Sequence, residues 1–183
     1  MPHRAPVEPT INETIDAEIA RDSGILWAAR RPLTWGDFRG SPPSNPGAVA
    51  AETAYTIIHG AACRGSTFEY RVAAAFRPKQ SWVRPAALRT AADSTRALRH
   101  EQTHFDLAEV HARRLRRYFA ELIAPCRIPT NDLAATAARM GREEKAAQEL
   151  YDQETDHGRA APAEGRWEKD VAAQMTALAK FVK

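Results

Sequence analysis

Long apolar runs are missing from this chain, and no stretch has the length or uniformity of a membrane span. Residues 1–24 have no apolar core of the kind an export leader needs, so as they stand they are not a signal peptide. Cysteine is scarce. Cys63 and Cys126 are the only two, and they could close one disulfide in an oxidising compartment or remain two buried thiols in the cytosol. Their spacing is not that of a zinc ribbon. Neither sign of charge dominates: 26 basic residues face 23 acidic ones, for a net charge of +3. Mild basicity with acids interspersed, and no nucleic-acid motif, argue against a nucleic-acid partner. Internal repeats are also missing.

The chain does have enough material for one core. Its 183 residues, 44% hydrophobic and 27% charged, suit a single globular domain and leave no room for a second. Ile11, Ile15 and Ile19 recur every fourth residue behind a Thr10–Glu13 capping box, which predicts a helix over 10–21 that stops at Gly24. Residues 1–24 are accordingly expected to form an N-terminal helical extension to one catalytic domain, 25–183. Ser41 to Gly47 reads as a proline-rich loop. Ala48–His59 and Thr67–Phe76 alternate as strands, with a turn expected over 60–65, and Ser81–Val83 could add a short third. Trp35 and Phe38 suit aromatic packing under that sheet, and Asp37 a turn or cap.

From Ser94 the period becomes helical. Leu98, Phe105, Ala108, Ala112, Leu115, Phe119 and Leu122 form one stripe, with Asp93 as the expected N-cap and Pro125 as the stop. A second long helix is predicted over 131–157, with Leu133, Ala137, Met140, Ala147 and Leu150 partly periodic along it. A loop is predicted over 158–165, followed by a last helix presenting Trp167, Val171, Met175, Leu178 and Val182. The fold class is therefore α+β: a small antiparallel sheet followed by packed helices.

The chemistry sits in the first long helix. His100 and His104 are four residues apart, about 6 Å of rise on nearly the same face, so two imidazoles can converge on one Zn²⁺. Glu101 follows the first of them and can reach a metal-bound water without being a ligand, which makes it the expected general base. His111 shares the face but lies about 16 Å from His100 along the axis, too far to join the ion. The segment Tyr151–Gly158 is the expected source of the third ligand, with His157 first and Glu154 second. Asp106 and Glu109 are candidate acceptors for the unligated imidazole nitrogens or alternative ligands. Tyr151 or His111 could donate to a developing oxyanion. A strand such as Thr67–Phe76 or Ser81–Val83 could pair with an extended peptide by edge addition, which favours a polypeptide substrate. The alternative is a zinc-containing binding module without catalysis, using the basic run 111–117 for an acidic partner.

Leu33 to Gly40, Ser81-Trp82-Val83, His100 to Asp106 with Ala108-Glu109 and Ala112-Arg113, and Tyr151 to Gly158 with Trp167 together resemble the bacterial predicted secreted zinc-dependent proteases. That family is catalogued as a domain of unknown function. The resemblance covers most of the chain after Ile25, and the His-Glu-Gln-x-His-Phe-Asp stretch is its most specific element. It implies a zincin-like peptidase fold, a zinc site carried onto His100, Glu101 and His104, and a secreted or periplasmic location. The lack of an export signal in the chain leaves the cytoplasm open.

Overall fold

A computed structural model describes residues 9–182 apart from 46 and 48. Residues 1–8 of the extension, Pro46 in the expected loop, and Ala48, the expected start of the first strand, lie outside the described residues. Helix α1 spans Ile11–Arg21, and Thr10 and Glu13 close the capping box at its start. Strand β1 is Ile25–Leu26, β2 Ala51–Glu52, β3 Tyr55–Arg64, β4 Thr67–Phe76 and β5 Trp82–Val83. Helices α2 (Ala91–Ala120), α3 (Thr130–Thr155) and α4 (Ala161–Ala177) follow. The architecture is α+β, with a small antiparallel sheet and helices, as the sequence predicts.

The three-stranded sheet runs β1-β4-β3, and β2 and β5 form a separate antiparallel pair. Strand β4 explains the layering. Its residues alternate faces: Val72, Ala74 and Phe76 meet Phe105, Ala108, Ala112, Leu115 and Phe119 of α2. Ala73 and Ala75 point the other way, where Ile58 of β3 joins Ile15 and Ile19 of α1. Both faces are covered, so β4 is buried without interruption from Val72 to Phe76.

Several boundaries differ from expectation. The β3–β4 turn is not 60–65: β3 continues to Arg64 and reverses at Gly65, whose φ is +62°. Gly60 serves packing instead, because a Cβ there would stand 3.0 Å from Ile11 of α1. The cap of α2 is Thr90, whose hydroxyl accepts from the Asp93 amide, and Asp93 is already inside the helix. Residues 161–165 are the first turn of α4, with Pro162 at a position where proline suits a helix start. Leu150 and Val182 are exposed rather than packed.

The segment 27–38 is strapped along α2. The Trp27 indole donates to Asp106, the Leu33 amide to Gln102, and the Trp35 indole to Ser94. Trp35 packs tilted on Phe38, Phe38 meets Phe76 edge-on, and Asp37 accepts from the Thr34 amide and from Arg31. Among the described residues no helix is long and apolar enough to cross a membrane.

Candidate metal centre

Helix α2 is buried at its middle, and its inward turn carries His100, Glu101 and His104, of which His100 and Glu101 are 5% and 3% exposed. Helix α3 lies against it and presents Glu144, Gln148, Tyr151, Asp152 and Thr155 at three- and four-residue spacing. The Oδ1 atom of Asp152 lies 3.1 Å from Nε2 of His100 and 3.1 Å from Nε2 of His104, and those two nitrogens are 3.2 Å apart. These three residues form a group whose ligand atoms all lie within 4.8 Å of one another.

The opposite ring nitrogens fix the tautomers. Nδ1 of His100 meets the Glu164 carboxylate at 2.7 Å, so it carries the proton and donates. Gln148 gives its amide nitrogen to the His104 carbonyl and to Glu144, which turns its oxygen toward Nδ1 of His104 at 2.6 Å. That nitrogen also donates. Both Nε2 atoms are then left with lone pairs facing a carboxylate oxygen, three acceptors with no donor between them. Such a convergence could hold a metal ion. Tetrahedral Zn²⁺ with bonds of about 2.0–2.1 Å separates its ligands by about 3.3–3.4 Å, so the spacing and donor set both fit a two-histidine, one-carboxylate ion. Without an ion, a proton can stand in. Burial alone would lower the His100 pKa, but the hydrogen bonds to Asp152 and Glu164 outweigh it and push it up to about 9. Burial likewise works to raise Asp152 and Glu164, and their imidazole partners more than offset it, so both carboxyls are held below the usual range.

Glu101 is placed differently. It lines a cleft of about 290 Å³ together with His100, His104, Asp152, His157 and residues 49–53. Its Oε2 is buried and has no hydrogen-bond partner among the described residues. Burial raises its pKa, against the pull of the two histidines.

The structure places the other expected site residues as follows. Asp152, rather than His157, lies with His100 and His104 in the converging group. His157 lines the cleft and places Nδ1 3.3 Å from the Asp152 carboxylate, but its ring lies outside the converging group. It sits in a run of three left-handed residues, Asp156, His157 and Gly158, and a Cβ on Gly158 would stand 3.1 Å from the His100 ring. Glu154 faces away and accepts from Trp167. Asp106 is spent on Trp27 and Gln102, and Glu109 on Arg113 and Arg116, so neither touches a site imidazole. Tyr151 is fully buried, stacks on His100 and donates to Glu164 at 2.8 Å, so it cannot reach the cleft.

Asp152, Gln148 and Glu164 were not singled out from sequence. One signal was available: Glu144, Gln148 and Asp152 recur every four residues, the same spacing as His100 and His104. Glu164 falls within 158–165, which the sequence predicts as loop.

The family model described as "Bacterial protein of unknown function (DUF922)" matches residues 37–158. That span takes in His100, Glu101, His104 and Asp152 but ends before Glu164. No curated protein and no solved structure matches the chain.

Proposed function

We propose that this chain, which belongs to the DUF922 family of bacterial proteins of unknown function, is a zinc-dependent metallohydrolase that cleaves peptide bonds. The observation that carries the reading is the convergence of three acceptor atoms, 3.1–3.2 Å apart, beside a buried carboxylate oxygen without a partner. His100, His104 and Asp152 would hold the ion. Zinc bound there would acidify a water and polarise a carbonyl. Glu101 would then act as general base through Oε2, taking a proton from that water and returning it to a leaving amine. Glu164, braced by Tyr151, and Gln148, braced by Glu144, keep both imidazoles aimed with Nε2 toward the centre. A structural zinc site would have no use for such a base.

Polypeptide is the substrate class that the cleft supports best. Strand β4 pairs with β3 along its length and with β1 at Ala75 and Phe76, and neither β4 nor β5 lines the cleft. The strand bordering the cleft is β2. The Arg84 amide donates to the Ala50 carbonyl, which makes 50 and 84 a hydrogen-bonded pair and turns the N–H and C=O of Ala51 away from β5. An extended peptide can pair there. The alternative binding module has less to offer, since Arg113, Arg116 and His111 are buried and the run 111–117 presents no continuous cationic face. A secreted or periplasmic location is part of the reading, supported by the disulfide between Cys63 and Cys126.

Protein purified without metal-affinity resin should contain about one zinc per chain. Iron in its place, or no tightly bound metal, overturns the reading. Glu101→Gln should keep the ion and lose at least about a hundredfold in hydrolysis of an unfolded protein. Undiminished turnover excludes Glu101 as the base.

A further inference from the structure

A second cavity of about 290 Å³ adjoins the cleft and shares Ala50, Ala97 and His157 with it. Its lining differs sharply in charge. Arg84, Arg96 and Arg159 face it, against one carboxylate, Asp93. Asp93 is already engaged by the Thr90 hydroxyl and by Arg96 at 2.7 Å, and Arg159 is held by Asp156 on its outer side. Arg84 has no acidic partner among the described residues. Its Nη1 donates to the Gly47 and Val49 carbonyls, which anchors the half-buried guanidinium and leaves the rest of the fork for a ligand.

We propose that this cavity is a carboxylate-binding subsite that selects polypeptides carrying an acidic group next to the bond at the metal centre. The inference rests on the hydrolase reading for its placement. A guanidinium offers two parallel N–H donors that match a carboxylate, and a fork already held by neutral carbonyls loses little freedom on engaging one. The cavity continues the cleft past His157 and beside Ala50, the residue that leads into β2, whose edge would carry the peptide. A chain lying along β2 would therefore present either a Glu or Asp side chain or its own C-terminal carboxylate to Arg84.

The test uses zinc-loaded full-length protein with Glu101→Gln, so that peptides bind without being consumed. Short alanine-based peptides are titrated calorimetrically in three forms: a central Glu with an amidated C-terminus, a central Gln with a free C-terminus, and a central Gln with an amidated C-terminus. One or both charged forms should bind at least about tenfold tighter than the neutral one, and the form that gains identifies the source of the carboxylate. Adding Arg84→Gln should erase the difference, while Arg166→Gln, an exposed arginine outside both cavities, should not. Equal binding of all three peptides, no binding of any, or a preference that survives Arg84→Gln overturns the subsite. Hydrolysis of an unfolded protein by the unsubstituted chain separates the two ideas. Turnover without charge preference removes the subsite alone, and charge preference without turnover leaves the subsite and removes the hydrolase.

Discussion

At the scale of single residues, His100 is held between two carboxylates with different tasks. Glu164 accepts a hydrogen bond from Nδ1–H and fixes the ring, while Asp152 shares the Nε2 side with His104. In the metal-free chain this arrangement keeps His100 protonated up to a pKa of about 9, above the 6.5 of an unperturbed imidazole. That proton therefore contributes fully to folded-state stability below pH 6.5, and the contribution is lost as pH rises toward 9. Metal-free protein should melt at a lower temperature at pH 9.5 than at pH 6.5, and zinc-loaded protein should show much less of this fall. The same proton must leave when an ion binds. Zinc affinity should then rise about tenfold per pH unit between 6 and 8, with about one proton released per ion in calorimetry across buffers of different ionisation enthalpy. Affinity that is flat in pH would show that His100 is already neutral in the free chain.

At the scale of elements, the pairing of α2 with α3 makes the site, and it divides what the sequence could show from what it could not. The four-residue spacing of His100 and His104, the stripe of α2, the alternation of β4 and the capping box of α1 are all local patterns with a fixed period, and they are legible. The place of Asp152 beside the two histidines is not, because it depends on which face of α3 turns toward α2. The apolar criterion places Ala137, Met140, Ala147 and Leu150 along α3; Ala137 and Met140 do pack in the core, yet Leu150 is 45% exposed while Glu144 and Gln148 are buried. The inward face of α3 beside the site is polar, so hydrophobic periodicity does not mark it. His157 was the natural choice from composition, but the helix ends at Thr155 and the left-handed turn that follows carries His157 to the mouth of the cleft. Asp152→Ala should weaken zinc binding by at least about a hundredfold, whereas His157→Ala should change it by less than about threefold. A chelator competition with a chromogenic zinc indicator measures both. A large loss of affinity in His157→Ala would return it to the ligand set.

At the scale of the whole molecule, the site lies near the middle of α2 and the covalent staple beyond its C-terminus. The disulfide joins Cys63, near the end of β3, to Cys126, just beyond the C-terminus of α2, and it closes a loop with a sequence separation of 63. His104 and Ala120 are separated by about 24 Å of helix, so the staple touches none of the residues that would hold an ion. Between them the helix is anchored by a buried ionic cluster: Glu109 accepts from Arg113 and Arg116, and the two arginines also reach the carbonyls of Met175, Val72 and Phe181. This ties the end of the chain and the sheet to the same helix. The two stabilising devices should consequently act on one cooperative unit without acting on each other. Constraining a loop of this length is worth about 4 kcal/mol through the entropy of the unfolded chain, and bound zinc stabilises by mass action on the folded state alone. Replacing Cys63 and Cys126 together with Ser should lower the urea midpoint by an amount equivalent to about 4 kcal/mol. The gain in midpoint on adding zinc should be the same with and without the disulfide, because distant contributions add. A smaller zinc increment in the double Ser variant would mean that the staple also positions α2 against α3 at the metal centre.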